Sequence, residues 1–249
     1  MTRLLCITAH PDDEAGGFGG TLALYAERGV ETSIICLTAG TAARNRGGAK
    51  TDAELAEMRT RELGDSCRLL GVKHWEILGY QDAHLDRADL YEVGGQLVKR
   101  IREIRPQVII TFGPDGGMTG HLDHAMAGVF ATIAYEWAAR SDRYPDLGTP
   151  HASQKLYYLT SGYKLRDRQA IAPPVITASI DIGRDRFEKK IRAFMQHKTQ
   201  EPLFGLLRRN LDRPPYVELY HLACTREPQR VTFETDLLDG LEDNPDLSS

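Results

Sequence analysis

Apolar residues along this chain fall into short runs separated by amphipathic stretches. The first, Arg3-Leu4-Leu5-Cys6-Ile7-Thr8-Ala9, is continuous rather than alternating, which predicts a strand covered on both faces. A glycine-rich turn (Gly16, Gly17, Gly19, Gly20) leads into a helix around residues 21–28 that Gly29 stops, and residues 31–37 form the next strand. Thr51 with Glu54 reads as a capping box opening a helix to about Leu70, with Gly71 beyond it. The alternation continues with a strand near 74–78, a helix over 90–104 that Pro106 terminates, a strand over 108–112 and a helix from about 122 to 139. Residues 154–160 and 176–182 read as strands and 184–197 as a helix. From Phe233 the chain turns acidic, which suggests a frayed tail.

Strands alternating with helices predict an α/β fold, a Rossmann-like, mainly parallel sheet flanked by helices. The expected organisation is a single domain over 1–249, more variable from about 150 and with an acidic tail from about 234. A chain of this size with 41% hydrophobic residues can bury one sizeable core. Acidic residues (35) slightly outnumber basic ones (31) and no Lys/Arg block is present, so nucleic acid is not an expected partner. No apolar stretch approaches bilayer length, and the segment after Met1 is too short for a signal peptide. A soluble cytoplasmic protein is expected. Cys6, Cys36, Cys67 and Cys224 are widely spaced and form no C-x-x-C, so they read as buried free thiols.

Ligands of such sheets sit beyond the carboxyl ends of the strands, and two histidine-rich motifs fall there. Ala9-His10-Pro11-Asp12-Asp13-Glu14 follows the first strand; Gly120-His121-Leu122-Asp123-His124 opens the helix after the strand over 108–112. His121 and His124, three apart on a helix, share a face and can point toward the first loop. Two imidazoles and one carboxylate would then converge, the ligand set of a catalytic zinc site with an open position. Adjacent Asp12 and Asp13 do not both easily bind one ion, so one would coordinate while its neighbour accepts a proton from water. The remaining histidine, if protonated, would stabilise an oxyanion with Asp123 orienting it, whereas the helix N-terminus opposes that charge. Glu14 reads as a first-turn charge, and His197 and Gln200 as a helix end.

These residues carry a family resemblance. AHPDDE followed by a Gly-Gly-Thr turn, with GHLDH after a Thr-containing strand, resembles the LmbE-like or PIG-L family of zinc-dependent N-acetylglucosamine deacetylases. The likeness extends to Leu37-Thr38-x-Gly40, Arg59-x-x-Glu62, Leu78-Gly79-Tyr80-Gln81-Asp82, Ile180-Asp181-Ile182 and His197-Lys198-Thr199-Gln200. It implies His10, Asp13 and His124 as metal ligands, Asp12 as general base, and His121 as charge stabiliser and acid for the leaving amine, with Asp123 its partner. It further implies that Arg59 and Asp82 line the sugar pocket and that relatives self-associate into homo-oligomers. The cofactor is expected to be Zn2+, with Fe2+ the alternative for a His/His/Asp set. The expected activity is removal of an acetyl group from an N-acetylglucosamine-type small molecule or glycoconjugate. Its rivals are an amidohydrolase of the same fold acting on a non-sugar or antibiotic-type conjugate, and a non-catalytic sugar-binding protein. A nicotinamide-binding reading fails because a G-x-G-x-x-G from Gly17 would need glycine where Leu22 stands.

Overall fold

The computed structural model describes residues 1–161, 172–227 and 232–241, with Asn210 by its backbone only. Seven strands, β1 (Arg3–Thr8), β2 (Glu31–Thr38), β3 (His74–Tyr80), β4 (Val108–Phe112), β5 (Lys155–Thr160), β6 (Ala178–Asp181) and β7 (Val217–Thr225), form one sheet ordered β3-β2-β1-β4-β5-β7-β6. The pairings among β1 to β5 are parallel; β7 runs antiparallel to both β5 and β6. The helices are α1 (Asp13–Gly16), α2 (Gly19–Glu27), α3 (Asp52–Leu70), α4 (Leu90–Ile104), α5 (Leu122–Ala138), α6 (Gly183–Phe194) and α7 (Phe204–Leu211). They group into two packed sets, α2 with α3 and α6, and α4 with α5, the helical layers of a doubly wound sheet.

Local signals placed most elements where the sequence puts them. The capping box at Thr51 and Glu54 is formed in both directions, and Gly71 closes α3 at φ 83°. Asp89 caps α4 by accepting from Glu92 N, and α4 ends two residues before Pro106. β4 is buried at every position, as its continuous apolar run requires.

Two points depart from the sequence reading. β7 and α7 were not anticipated: β7 (VELYHLACT) lacks a β-branched run and carries Glu218, which reads as solvated but is buried against Lys190 Nζ at 2.5 Å. The segment from Phe233 is not frayed where it is described. Glu234 bridges to Ala178 and accepts from Lys155 Nζ (2.7 Å) and Tyr157 OH (2.6 Å), while Leu237 is fully buried and donates its N–H to Tyr25 OH. The end of the expected tail, residues 242–249, lies outside the described residues. The glycines at the start of the first helices allow close packing both on the sheet and on α6: a Cβ at Gly17 would press on Leu159 of β5, one at Gly20 would run into Ile182 and meet Glu218 of β7, and one at Gly19 would press on Lys190.

Cys6, Cys36 and Cys67 are buried free thiols as expected; Cys224 is half-buried. Burial raises the pKa of all four, which leaves them poor nucleophiles. Among the described residues no helix is long and apolar enough to cross a membrane.

After β1 the chain crosses to β2 on one side, and after β4 to β5 on the other. The carboxyl ends of adjacent β1 and β4 are thus the point where the winding reverses, and both histidine motifs leave the sheet there.

Candidate metal centre and active site

His10 follows β1, and Asp13 opens α1 with its carboxylate folded back onto the preceding turn. Asp13 Oδ2 accepts from Ala9 N (3.2 Å) and His10 N (2.8 Å), which fixes it beside the imidazole. Across the β1–β4 seam, α5 begins at Leu122 with His121 as its N-cap, and its first turn carries His124. A Cβ at Gly128 would strike the Phe112 carbonyl, so a glycine there lets α5 lie close on the end of β4. His124 Nε2 is 3.0 Å from Asp13 Oδ1, and His10 Nδ1 is 3.5 Å from Asp13 Oδ2. Nitrogens of His10, His121 and His124 lie within 4.8 Å of one another. The three residues expected as ligands are therefore brought together.

The nitrogen of His10 that faces away from Asp13 is also held. Its Nε2 is 3.1 Å from Asp82 Oδ1 and 3.3 Å from Asp123 Oδ2. Imidazoles that bind metals commonly give their second nitrogen to a carboxylate, which fixes tautomer and raises basicity. His124 has Thr119 Oγ1 at 3.2 Å from Nδ1, and its ring stacks on Phe112 with centroids 4.0 Å apart. Two oriented imidazoles and a buried carboxylate form a borderline N/O donor set that fits a divalent transition ion.

Electrostatics separates the adjacent aspartates. Burial is the largest influence on both. For Asp13 it is outweighed by His124 and His10, which hold the carboxyl well below the usual range. For Asp12 burial wins over Arg59, and with repulsion from Asp13 it pushes the pKa up to about 6. For His10, burial alone would favour the neutral ring, but hydrogen bonds that the ring donates to Asp123, Asp13 and Asp82 raise its pKa well above ordinary.

The expected partnership of Asp123 with His121 is corrected. The Asp123 carboxylate is engaged by Ala83 N (2.7 Å), Leu85 N (3.2 Å) and His10. What reaches His121 is the Asp123 backbone, whose N–H donates to Nδ1 at 3.1 Å. Nδ1 is thus an acceptor, and the ring proton sits on Nε2. Burial first, then the charges of His10 and His124, lower the His121 pKa, and the helix N-terminus acts in the same direction. His121 is a neutral Nε2–H donor rather than an imidazolium.

Arg59 and Asp82 both border the cavity, but their polar atoms other than Arg59 Nε are engaged. Arg59 donates to the Gly40 carbonyl (2.7 Å), the Pro11 carbonyl and Asp12 Oδ2 (3.0 Å). A Cβ at Gly40, where φ is 67°, would collide with that guanidinium. The second oxygen of Asp82 accepts from Ala42 N at 2.7 Å. Glu62 ignores Arg59 and instead receives Thr199 N (2.9 Å) and Thr199 Oγ1 (2.6 Å).

Sequence reasoning missed Glu14, Ser66 and His197. All three are fully buried, with His197 Nε2 at 2.7 Å and Ser66 Oγ at 2.5 Å from Glu14 Oε1. The last letter of AHPDDE and the first of HKTQ were the available signal. His197 stands at a helix end, as the N-cap of a short 3-10 helix over Lys198–Leu203, and is at the same time a buried link.

Above these groups opens a cavity of about 1110 Å³. Its polar side carries Asp12, Arg59 and Asp82; its outer wall is apolar, built from Phe194 and from Leu203, Leu206, Leu207 and Leu211 on and before α7. The floor offers a cation site, a carboxylate of near-neutral pKa and a neutral N–H donor, a set suited to adding water to an amide carbonyl.

The chain is 29% identical to the mycothiol S-conjugate amidase of Streptomyces coelicolor, over 97% of this chain and 98% of that one. It is 31% identical to a 1D-myo-inositol 2-acetamido-2-deoxy-alpha-D-glucopyranoside deacetylase of Streptomyces avermitilis, over 96% and 97% of the two chains. Among solved structures, an N,N'-diacetylchitobiose deacetylase from Pyrococcus horikoshii complexed with an inhibitor matches with TM-score 0.74 and 25% identity, over 89% of this chain and 83% of that one. The pattern of the family described as PIG-L, GlcNAc-PI de-N-acetylase, covers residues 5–135, which include both histidine motifs. With that match, and with relatives above 30% identity along nearly the whole chain, the chain belongs to the PIG-L family.

Proposed function

We propose that this chain is a single-domain, metal-dependent hydrolase that removes the N-acetyl group from an N-acetylglucosamine-type sugar or glycoconjugate, releasing acetate and a free amine. The convergence of His10, Asp13 and His124 at the β1–β4 seam, with Asp12 beside them, carries this reading. The similarity to deacetylases of acetamido sugars supports the substrate class.

His10, Asp13 and His124 would hold the ion, zinc in this proposal, in a protein of the cytoplasm. Zinc when bound supplies a Lewis acid that polarises the amide carbonyl and acidifies water. Asp12, ionised, takes a proton from the attacking water as its oxygen bonds to the carbonyl carbon. Its pKa of about 6 suits that task near neutrality. His121 donates from Nε2 to the carbonyl oxygen as that atom gains charge. Asp12 then passes the proton to the sugar nitrogen as the C–N bond breaks, so no acyl-enzyme forms and His121 need not act as the acid. Asp123 and Asp82 hold His10, and Arg59 braces the Asp12 loop. Arg59 and Asp82 contribute to sugar binding only by shaping the polar edge of the cavity.

A second reading keeps the chemistry and changes the acceptor: the leucine wall and the similarity to a mycothiol S-conjugate amidase favour a larger amide conjugate. Acetate release from a panel of N-acetyl sugars and conjugates, with and without zinc, separates the two. No release from any N-acetylated compound by the zinc-loaded protein refutes the deacetylase reading.

A further inference from the structure

Asp12 sits at φ 117°, ψ −25°, a conformation that residues with a Cβ seldom adopt. The peptide unit that sets this φ is the one joining Pro11 to Asp12, and both of its polar atoms are gripped. The Pro11 carbonyl accepts from the Arg59 guanidinium, and the Asp12 N–H donates to Glu14 Oε2 at 2.9 Å. A cation holds the oxygen and an anion holds the N–H, so the pair specifies which way that peptide faces. Turning the peptide over would present the carbonyl to the carboxylate and the N–H to the guanidinium.

The anionic half of this clamp is anchored from far away in the chain. Glu14 is fully buried, and its other oxygen is bound by Ser66 of α3 and by His197, which follows α6. None of these residues faces the cavity, and the chemistry above uses none of them.

We propose that Glu14, secured by His197 and Ser66, is a positioning residue: with Arg59 it holds the Pro11–Asp12 peptide in the flipped orientation that aims the Asp12 carboxylate into the site. This rests on Asp12 being the base. The same Arg59 bonds that carboxylate, so backbone and side chain of the base are set by one frame.

The test compares Glu14→Ala, Glu14→Gln and Ser66→Ala in the zinc-loaded full chain. It reads zinc stoichiometry, KM, kcat and hydrogen exchange of the Asp12 amide by NMR. Glutamine keeps a carbonyl oxygen for the Asp12 N–H; alanine does not. The expected result for Glu14→Ala is a roughly hundredfold fall in kcat at unchanged KM and zinc content, with Asp12 amide exchange faster by a similar factor. Glu14→Gln is expected to restore kcat to within about tenfold of the parent and to restore the amide protection. Ser66→Ala loosens the anchor without emptying it and is expected to lower kcat several-fold at constant KM. Zinc-loaded Glu14→Ala with parental kcat and parental Asp12 exchange overturns the proposal, as does a Glu14→Gln variant no better than alanine. If Glu14→Ala does not fold, Ser66→Ala decides: unchanged kcat together with unchanged Asp12 exchange overturns it. Should the parent release no acetate from any compound, the deacetylase reading falls, and the exchange of the Asp12 amide still decides the clamp.

Discussion

Replacing Asp12 with Asn should cut turnover by orders of magnitude and yet stabilise the metal-free protein at neutral pH. The native carboxyl has its pKa raised from 3.8 to about 6, chiefly by burial, with its side chain only 17% exposed. A native group that holds its proton more tightly than the unfolded chain makes the native state lose stability as pH climbs from about 4 to about 6. The loss is complete above that window, and a shift of about 2 units corresponds to about 3 kcal/mol. Asparagine does not titrate and tolerates positive φ, so the variant escapes this term. The pull of Arg59 is already contained in the raised value, so the pH-dependent increment is the quantity to follow. Thermal melts of apo parent and variant at about pH 4 and about pH 7 should diverge in favour of the variant by roughly 10 °C over that interval. On zinc-loaded protein the variant should lose about 10² to 10⁴ in kcat, or about 3–5 kcal/mol of barrier lowering. A melting difference that does not change with pH would refute the raised carboxyl, and turnover above about a tenth of parental would refute Asp12 as base.

Other outcomes test neighbouring groups. Chelation should end acetate release and added zinc should restore it; His124→Ala should fail to retain zinc by elemental analysis, whereas Asp12→Asn should retain it. Asp123→Asn and Asp82→Asn, which disturb the carboxylates on His10 Nε2, should each weaken zinc affinity about 10- to 100-fold in competition titrations. Acetate release should fall as pH drops through about 6, or lower once the cation favours the ionised form, because Asp12 must be deprotonated to act; a rise on acidification contradicts that role. Lys190→Ala leaves Glu218 buried with the Gly20 and Thr21 N–H groups and a long bond from Tyr220 OH (3.4 Å) but no cation, so it should cost about 3–5 kcal/mol and lower the melting temperature by roughly 10 °C.

What the amino-acid order determines by itself is local. β4 and α4 carry their own boundaries in a continuous apolar run, an Asp89 cap and Pro106, so periodicity and punctuation locate them. His121 and His124 lie within a turn of each other at the start of one helix, so their spacing already declares that they can face one way, and His10 and Asp13 are neighbours in the short turn that opens α1. Tertiary structure decided the rest. Whether Asp123 meets His121 or His10 depends on where the loop after β3 lands beside β1, and the sheet order decides that. Glu14, Glu218 and Glu234 look like surface charges because their partners His197, Lys190 and Lys155 are remote in sequence. A buried carboxylate is tolerable only once folding has supplied its donors, and no window of neighbouring residues contains them.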